Sequence, residues 1–215
     1  MSDKEYWLKL TRCVSQILEI QTGGLRQQLA RNGHTFKFMN GKFVAPVEGE
    51  LEGVVDGPFY NHYDRDRSPG ATVAEAIEHT NRIIAEQGPF DAVLGFSQGA
   101  ALAAAMIIHH AKSKPGAPPL FRVAVFLCGG APWEETGLML VKAEPDTFPI
   151  NISTANVVGK LDSIYESSME LYKLCEPSKA SFYDHGSKHM VPFDAKNTDA
   201  MVRVIEEAVA RAVRY

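Results

Sequence analysis

The pentapeptide Gly95-Phe96-Ser97-Gln98-Gly99 sets one serine between two glycines. An apolar run, Phe90 to Leu94, precedes it, and an alanine-rich helical pattern, Ala100 to His110, follows it. A strand-to-helix turn this tight crowds the flanking side chains, so glycine is needed on both sides. The strain holds the Ser97 hydroxyl above the end of a sheet, and the Gln98 amide opens the helix where it can face a developing oxyanion. The chemistry implied is nucleophilic attack on an acyl carbon. Glycine and serine are common, so the strand before and the helix after carry the weight of this reading. The bland alternative is a plain βα turn with a capping serine.

A serine nucleophile needs a general base, and this type of turn is followed in chain order by an acid and then a histidine. His189 lies in Gly186-Ser187-Lys188-His189-Met190-Val191-Pro192, just after the last predicted strand. His185 is its competitor. His109 and His110 lie about three turns along the helix that follows Ser97, and His79 lies in an earlier helix. Asp162 follows the strand predicted over 150–158 and would fix the imidazole tautomer. It could equally cap a helix beginning at Ser163. Asp184 is the alternative acid. Phe59, Tyr60 and Trp133, with Met139, could wall the acyl group or could be ordinary packing.

These residues need a scaffold, and the hydropathy pattern supplies one. Ser2 and Glu5 read as a capping box, with Tyr6, Leu10, Cys13, Val14 and Ile17 at helical spacing behind it. The first segment is therefore expected to be a helix, because a strand over Trp7 to Val14 alternates poorly. A second helix is expected from about Thr22 to Asn32, then a strand from Thr35 to Met39. Residues 40–71 are rich in Gly, Pro, Asp and Asn and read as loops with Phe59, Tyr60 and Tyr63 as anchors. Thr72 and Glu75 form another capping box, opening a helix with Val73, Ile77, Thr80 and Ile84 on one face. Further strands are expected at Phe121 to Leu127, Ile150 to Val158 and Ala180 to Asp184. Helices are expected at Ser163 to Cys175 and Asn197 to Arg214. Residues 131–149 read as a cap insertion. Strands and helices alternate from residue 72 onward, which predicts an α/β fold: a mostly parallel sheet with helices on both faces.

The chain of 215 residues fits one domain, taken here as 1–215. Its net charge of −4 argues against nucleic acid and against an anionic membrane surface as partners. Cys13, Cys128 and Cys175 are widely spaced and have no zinc-ligand pattern, so they read as isolated thiols in a reducing, cytoplasmic setting. No secretory signal is evident near Met1, and the run Ala100 to Ile108 is too short to span a bilayer. No metal or organic cofactor is expected.

The stretch Gly88 to Leu102 closely resembles the fungal family of small serine hydrolases, α/β-hydrolases that include esterases and thioesterases accompanying polyketide synthases. Further matches are Gln21-Thr22-Gly23-Gly24-Leu25, Gly57-Pro58-Phe59-Tyr60, Phe121-Arg122-Val123-Ala124-Val125-Phe126 and His189-Met190-Val191-Pro192. The resemblance implies Ser97 as nucleophile, Asp162 as acid and His189 as base. It implies an acyl ester or thioester substrate, including a polyketide intermediate, delivered free or on an acyl carrier or polyketide synthase. Members of that family begin with a strand leading into a His-Gly loop that supplies a second oxyanion donor. Here Leu10 to Ile17 contains no His-Gly pair. Loss of one such donor lowers turnover about 10²–10³-fold. Two expectations follow. The chain is either a serine hydrolase, or a hydrolase-fold protein that binds a small molecule or assists its cyclisation without hydrolysis. A helix in place of the first strand would also expose a sheet edge. Either Tyr6, Leu10 and Val14 would cover that edge, or a homodimer would form there and lend an oxyanion donor.

Overall fold

The computed structural model describes residues 6–11, 22–46, 58–64 and 69–213. In chain order the elements are β1 (Tyr6–Thr11), α1 (Gly23–Arg31), β2 (Thr35–Asn40), β3 (Phe43–Ala45), β4 (Phe59–Asn61), α2 (Ala71–Gln87), β5 (Ala92–Phe96), α3 (Gln98–Ser113), β6 (Val123–Leu127), β7 (Ser153–Val158), α4 (Tyr165–Lys173), β8 (Ala180–Asp184) and α5 (Ala195–Val213). Six of the strands form one sheet in the order β2-β1-β5-β6-β7-β8. Every neighbouring pair in it is parallel. β3 and β4 make a separate antiparallel pair.

Alternate residues of each strand point to opposite faces, and both faces are dry. Leu8, Leu10, Val93, Ala124 and Phe126 join one core with α2, α3 and α4. Trp7, Leu94, Val123, Val125, Ala155 and Val157 join a second core with α1 and α5. α3 is buried from Gln98 through Ile108, which accounts for its alanines: small side chains let a helix lie close on a sheet. α5 buries Thr198, Met201, Ile205, Ala208 and Val209, one stripe at helical spacing. Val204 and Ala212, on the same side of the helix, are half-buried.

The expected N-terminal helix is wrong. β1 is an interior strand, paired through Trp7 to Leu10 with Ala92 to Gly95 and through Tyr6 to Thr11 with Thr35 to Asn40. A strand buried on both faces has no need of alternating polarity. Trp7, Leu8 and Leu10 are all fully buried, and the helical spacing of Tyr6, Leu10, Cys13, Val14 and Ile17 leaves the adjacent Trp7 and Leu8 out of account. The sheet edge expected to lie bare is therefore filled, and the motive for a second subunit at that place is gone. Ser2, Glu5, Cys13, Val14 and Ile17 lie outside the described residues.

One smaller expectation also changes. α2 begins at Ala71 with Gly70 at its cap, so Thr72 and Glu75 form no capping box. Instead the Thr72 hydroxyl donates to the Pro69 carbonyl and accepts from the Asp64 amide. The segment 131–149, expected as a cap insertion, arches over α3. Trp133 and Leu140 face each other as an antiparallel bridge, flanked by bonds from Glu134 N–H to Met139 O and from Val141 N–H to Pro132 O. The Gly70 N–H donates to Gly137 O at 3.2 Å and ties the tip of this arch to the start of α2. Among the described residues no helix is long and apolar enough to cross a membrane.

Candidate active site

Ser97 stands between β5 and α3 with φ 54° and ψ −119°, a conformation that L residues seldom adopt. Its amide donates to Leu127 O at 2.9 Å, and its carbonyl accepts from the Ala100 and Ala101 amides. The glycines on either side are sterically required. A Cβ on Gly95 would sit 2.4 Å from Ala100 N, and one on Gly99 would sit 2.3 Å from Leu10 O. The second contact also shows that β1 leaves the sheet directly beside this turn. The Gln98 amide is the first N–H of α3, at the positive end of the helix dipole, where no carbonyl of the same helix can satisfy it.

Because every strand of the sheet is parallel, the turns after β7 and β8 lie at the same end as Ser97 and carry its partners. Asp162 lies in the turn after β7. Its carboxylate is almost fully buried, whereas the His189 side chain is one-third exposed. Asp162 Oδ1 accepts from the Ile164 amide at 2.9 Å, and Oδ2 lies 2.7 Å from His189 Nδ1. Asp162 is not the N-cap expected of it, because α4 begins at Tyr165 with Ile164 at its cap; Oδ1 closes the turn before that helix, and Oδ2 is left to His189. His189 follows β8, and its Nε2 lies 2.9 Å from Ser97 Oγ. Because an ionised carboxylate only accepts, Nδ1 carries the proton and Nε2 is left to accept from the serine hydroxyl. Phe96 packs on the imidazole with ring centroids 5.0 Å apart.

The rival residues have other tasks. Asp184 Oδ1 accepts from the amides of Lys160 and Gly186. It pins the two loops together and has no bond to His189 in the structure. His109 pairs with Glu135 at 3.0 Å, and His110 Nε2 meets Pro118 O. His79 lies on α2.

Comparison with known proteins gives this site a lineage. The sequence pattern of the serine hydrolase (FSH1) family matches residues 8–201. The chain belongs to that family. Esterase FPY3 of Fusarium mangiferae is 35% identical over 207 residues, covering 93% of each chain. Esterase FUS5 of Gibberella moniliformis is 30% identical, covering 89% of this chain and 80% of that one. A carboxylesterase from Mesorhizobium loti superposes with a TM-score of 0.61 at 17% identity, covering 93% and 87% of the two chains. At that identity the likeness speaks for the fold alone, which is that of the α/β-hydrolases. The protein is a serine hydrolase.

In this hydrolase the loop that presents His189 is buttressed by His185. His185 Nδ1 accepts from the Ser187 amide at 3.1 Å, so the ring proton sits on Nε2, 3.5 Å from Cys128 Sγ. The Cys128 thiol in turn donates to Met190 O. These bonds hold the loop on both sides of His189. Burial pushes the Cys128 thiol up to about 12, helped by the nearby Asp162 charge, so it stays protonated. Cys128, Asp162 and His189 bring one ligand-type atom each within 4.8 Å of one another, a cluster that their sequence spacing does not reveal. Cys175 is also free and buried, and Cys13 lies outside the described residues.

Burial holds His185 below its ordinary value of 6.5, against the opposing pull of Asp184 and Asp162. The unfolded chain therefore binds this proton more readily than the folded one. Its contribution to stability is complete above pH 6.5 and is lost as pH falls below that value towards the depressed folded pKa. In His185→Asn, denaturant midpoints are expected to lose part of their decline over this acid window. His185→Ala is expected to keep most of its labelling by a fluorophosphonate. Loss of labelling in a folded His185→Ala protein would move the base to His185.

A cleft of about 250 Å³ opens at Ser97. Trp133 lines it, as expected, together with Tyr63, Leu140 and Ile164, which the sequence reading did not place there. Phe59 and Tyr60 do not line it. They belong to β4, where Phe59 is buried and Tyr60 half-buried. The chain turns inward after β4 because the Gln98 side chain clamps it: Oε1 accepts from His62 N–H at 2.8 Å and Nε2 donates to Tyr63 O at 2.9 Å. Met139 is 62% exposed, and the cross-strand partner of Trp133, Leu140, takes the place expected for it. A second oxyanion donor would come from the segment after β1, and residues 12–21 lie outside the described residues.

Proposed function

We propose that this serine hydrolase cleaves acyl esters or thioesters through a triad of Ser97, His189 and Asp162. The observation that carries the reading is His189, with Asp162 at 2.7 Å on one ring nitrogen and Ser97 at 2.9 Å on the other. Ser97 Oγ attacks the acyl carbon while His189 Nε2 takes its proton. His189 then returns the proton to the leaving alcohol or thiol, leaving an acyl-serine. Water attacks that ester by the same route and releases the acid. Asp162 keeps the imidazole in the receptive tautomer and stabilises the imidazolium. The Gln98 amide faces the oxyanion.

The rival reading, small-molecule binding or assisted cyclisation without hydrolysis, rests on the absence of a His-Gly pair between Leu10 and Ile17. Hydrolysis is favoured because β1 is a strand that ends beside Gly99, the scaffold a second oxyanion donor needs. Relatives with the printed name esterase support an ester as the bond cleaved. An oxygenated acyl chain of the polyketide type is the proposed natural substrate, free or carrier-bound.

A fluorophosphonate probe tests the proposal, because it labels an activated serine whatever the natural substrate. Labelling is expected at Ser97 and is expected to disappear in His189→Ala. A native protein that resists the probe while retaining its fold would overturn the proposal.

A further inference from the structure

A second cavity, of about 330 Å³, lies along α3 beyond the cleft at Ser97. Two features place them side by side. Trp133 lines both. Ala101 lines the cleft, and Ala105, Ile108 and Lys112 line the second cavity. These four positions, spaced by four, three and four residues, form one stripe of α3 about 16 Å long. The arch of residues 132–141 covers the stripe. The floor is apolar: Ala105 and Ile108 are 6% and 3% exposed, and Val141 lies across from them on the arch. The far rim is polar, closed by the His109–Glu135 pair at 3.0 Å.

We infer that the second cavity receives the distal carbons of the acyl group, so that the hydrolase selects medium-chain over short-chain acyl substrates. The inference rests on Ser97 as the nucleophile. An acyl carbon held at Ser97 can have its chain run past Ala101 and Trp133, and the stripe continues in that direction through Ala105 and Ile108 before turning polar at Lys112. A linear chain lying there would displace water from Ala105, Ile108, Val141 and the indole face. Each methylene so buried multiplies transition-state binding by about three- to fourfold.

The test compares p-nitrophenyl esters of acetic, butyric, octanoic and decanoic acid, with decanoate binding read independently. The protein holds two tryptophans. Trp7 is fully buried in the core on the other face of the sheet, so a change in emission on adding decanoate reports Trp133. In the native enzyme kcat/KM is expected to be at least about tenfold higher for the octanoyl than for the butyryl ester. Ala105→Phe fills the cavity from its floor, and Thr136→Phe fills it from an exposed position that the fold tolerates. Each is expected to lose about tenfold on the octanoyl ester, to stay within about twofold on the butyryl ester, and to lose the decanoate response. Should Ala105→Phe fail to fold, Thr136→Phe decides alone. A flat chain-length profile, or variants that slow all four esters equally, would overturn the inference and leave the Ser97 reading intact. A decanoate response abolished by the variants, with no ester hydrolysed by the native protein, would uphold the subsite and overturn the Ser97 reading.

Discussion

Replacing Ser97 with alanine is expected to lower ester turnover by about 10⁴–10⁶-fold without disturbing the fold. The size follows from what the change removes: the attacking atom itself, leaving only acyl binding and oxyanion contacts to accelerate attack by water. The fold is expected to survive because the hydroxyl's one bond among the described residues is to His189 Nε2. The backbone bonds that hold the turn run from Ser97 N–H to Leu127 O and from the Ala100 and Ala101 amides to Ser97 O, and alanine keeps them all. A thermal midpoint within about 2 °C of the native value is expected, as for substitutions that remove no packing. Turnover of p-nitrophenyl butyrate, measured in protein freed of contaminating esterases, is the readout. A pure, folded Ser97→Ala protein that retains its turnover would leave this serine without a role and the histidine–carboxylate pair without a substrate for its proton.

Asp162→Asn is expected to lower kcat about 10⁴-fold, a loss comparable in consequence though different in cause. Asparagine is nearly isosteric, and its Oδ1 can still accept from the Ile164 amide, as Asp162 Oδ1 does at 2.9 Å. Its amide nitrogen would face His189 Nδ1, where Asp162 Oδ2 now lies at 2.7 Å. A donor there makes Nδ1 the acceptor and moves the ring proton to Nε2. That nitrogen then points a proton at Ser97 instead of a lone pair and cannot act as base. Asp162→Ala is expected to lose activity similarly but also to lose the bond to the Ile164 amide, destabilising the turn before α4 by about 1 kcal/mol. The pair of variants therefore separates the two tasks of one carboxylate, activity falling in both and the denaturant midpoint falling only in alanine. If Asp162→Asn kept more than about a tenth of native kcat, Asp162 would only close the turn before α4, and Asp184 would have to be reconsidered as the acid.

Much of this site was legible in the chain before it was folded. Gly95-x-Ser97-x-Gly99 between an apolar run and an alanine-rich helix is a local signal. The tight turn, the glycines and the dipole-exposed amide are all consequences of neighbours within five residues. The position of β8, Ala180–Asp184, was read to the residue, because Pro177-Ser178-Lys179 before it and Gly186-Ser187-Lys188 after it mark both ends. Chain order and strand ends then nominated Asp162 and His189, and the structure brings them to Ser97. Their competitors could not be dismissed locally. His185 and His189 stand four residues apart in one loop. What separates them is that His185 turns to Ser187 and Cys128 while His189 turns to Asp162 and Ser97.

What only the tertiary structure decided has a common cause: pairing between segments far apart in the chain. β1 looks helical by its own spacing. It is a strand because residues 35–40 and 92–95 offer it two parallel partners and a dry layer on either face, a context that no window of residues contains. The wall of the cleft at Ser97 went to Tyr63 and Leu140 instead of Phe59, Tyr60 and Met139 for the same kind of reason. The Gln98 side chain reaches across to clamp residues 62 and 63, and the arch sets its register by the Trp133–Leu140 bridge. Amino-acid types and local spacing thus determined where the candidate nucleophile Ser97 lies and which chemistry is proposed for it. Long-range hydrogen bonding and packing determined which histidine stands beside Ser97 and which side chains shape the cleft, because both depend on distances between residues that the linear chain leaves free.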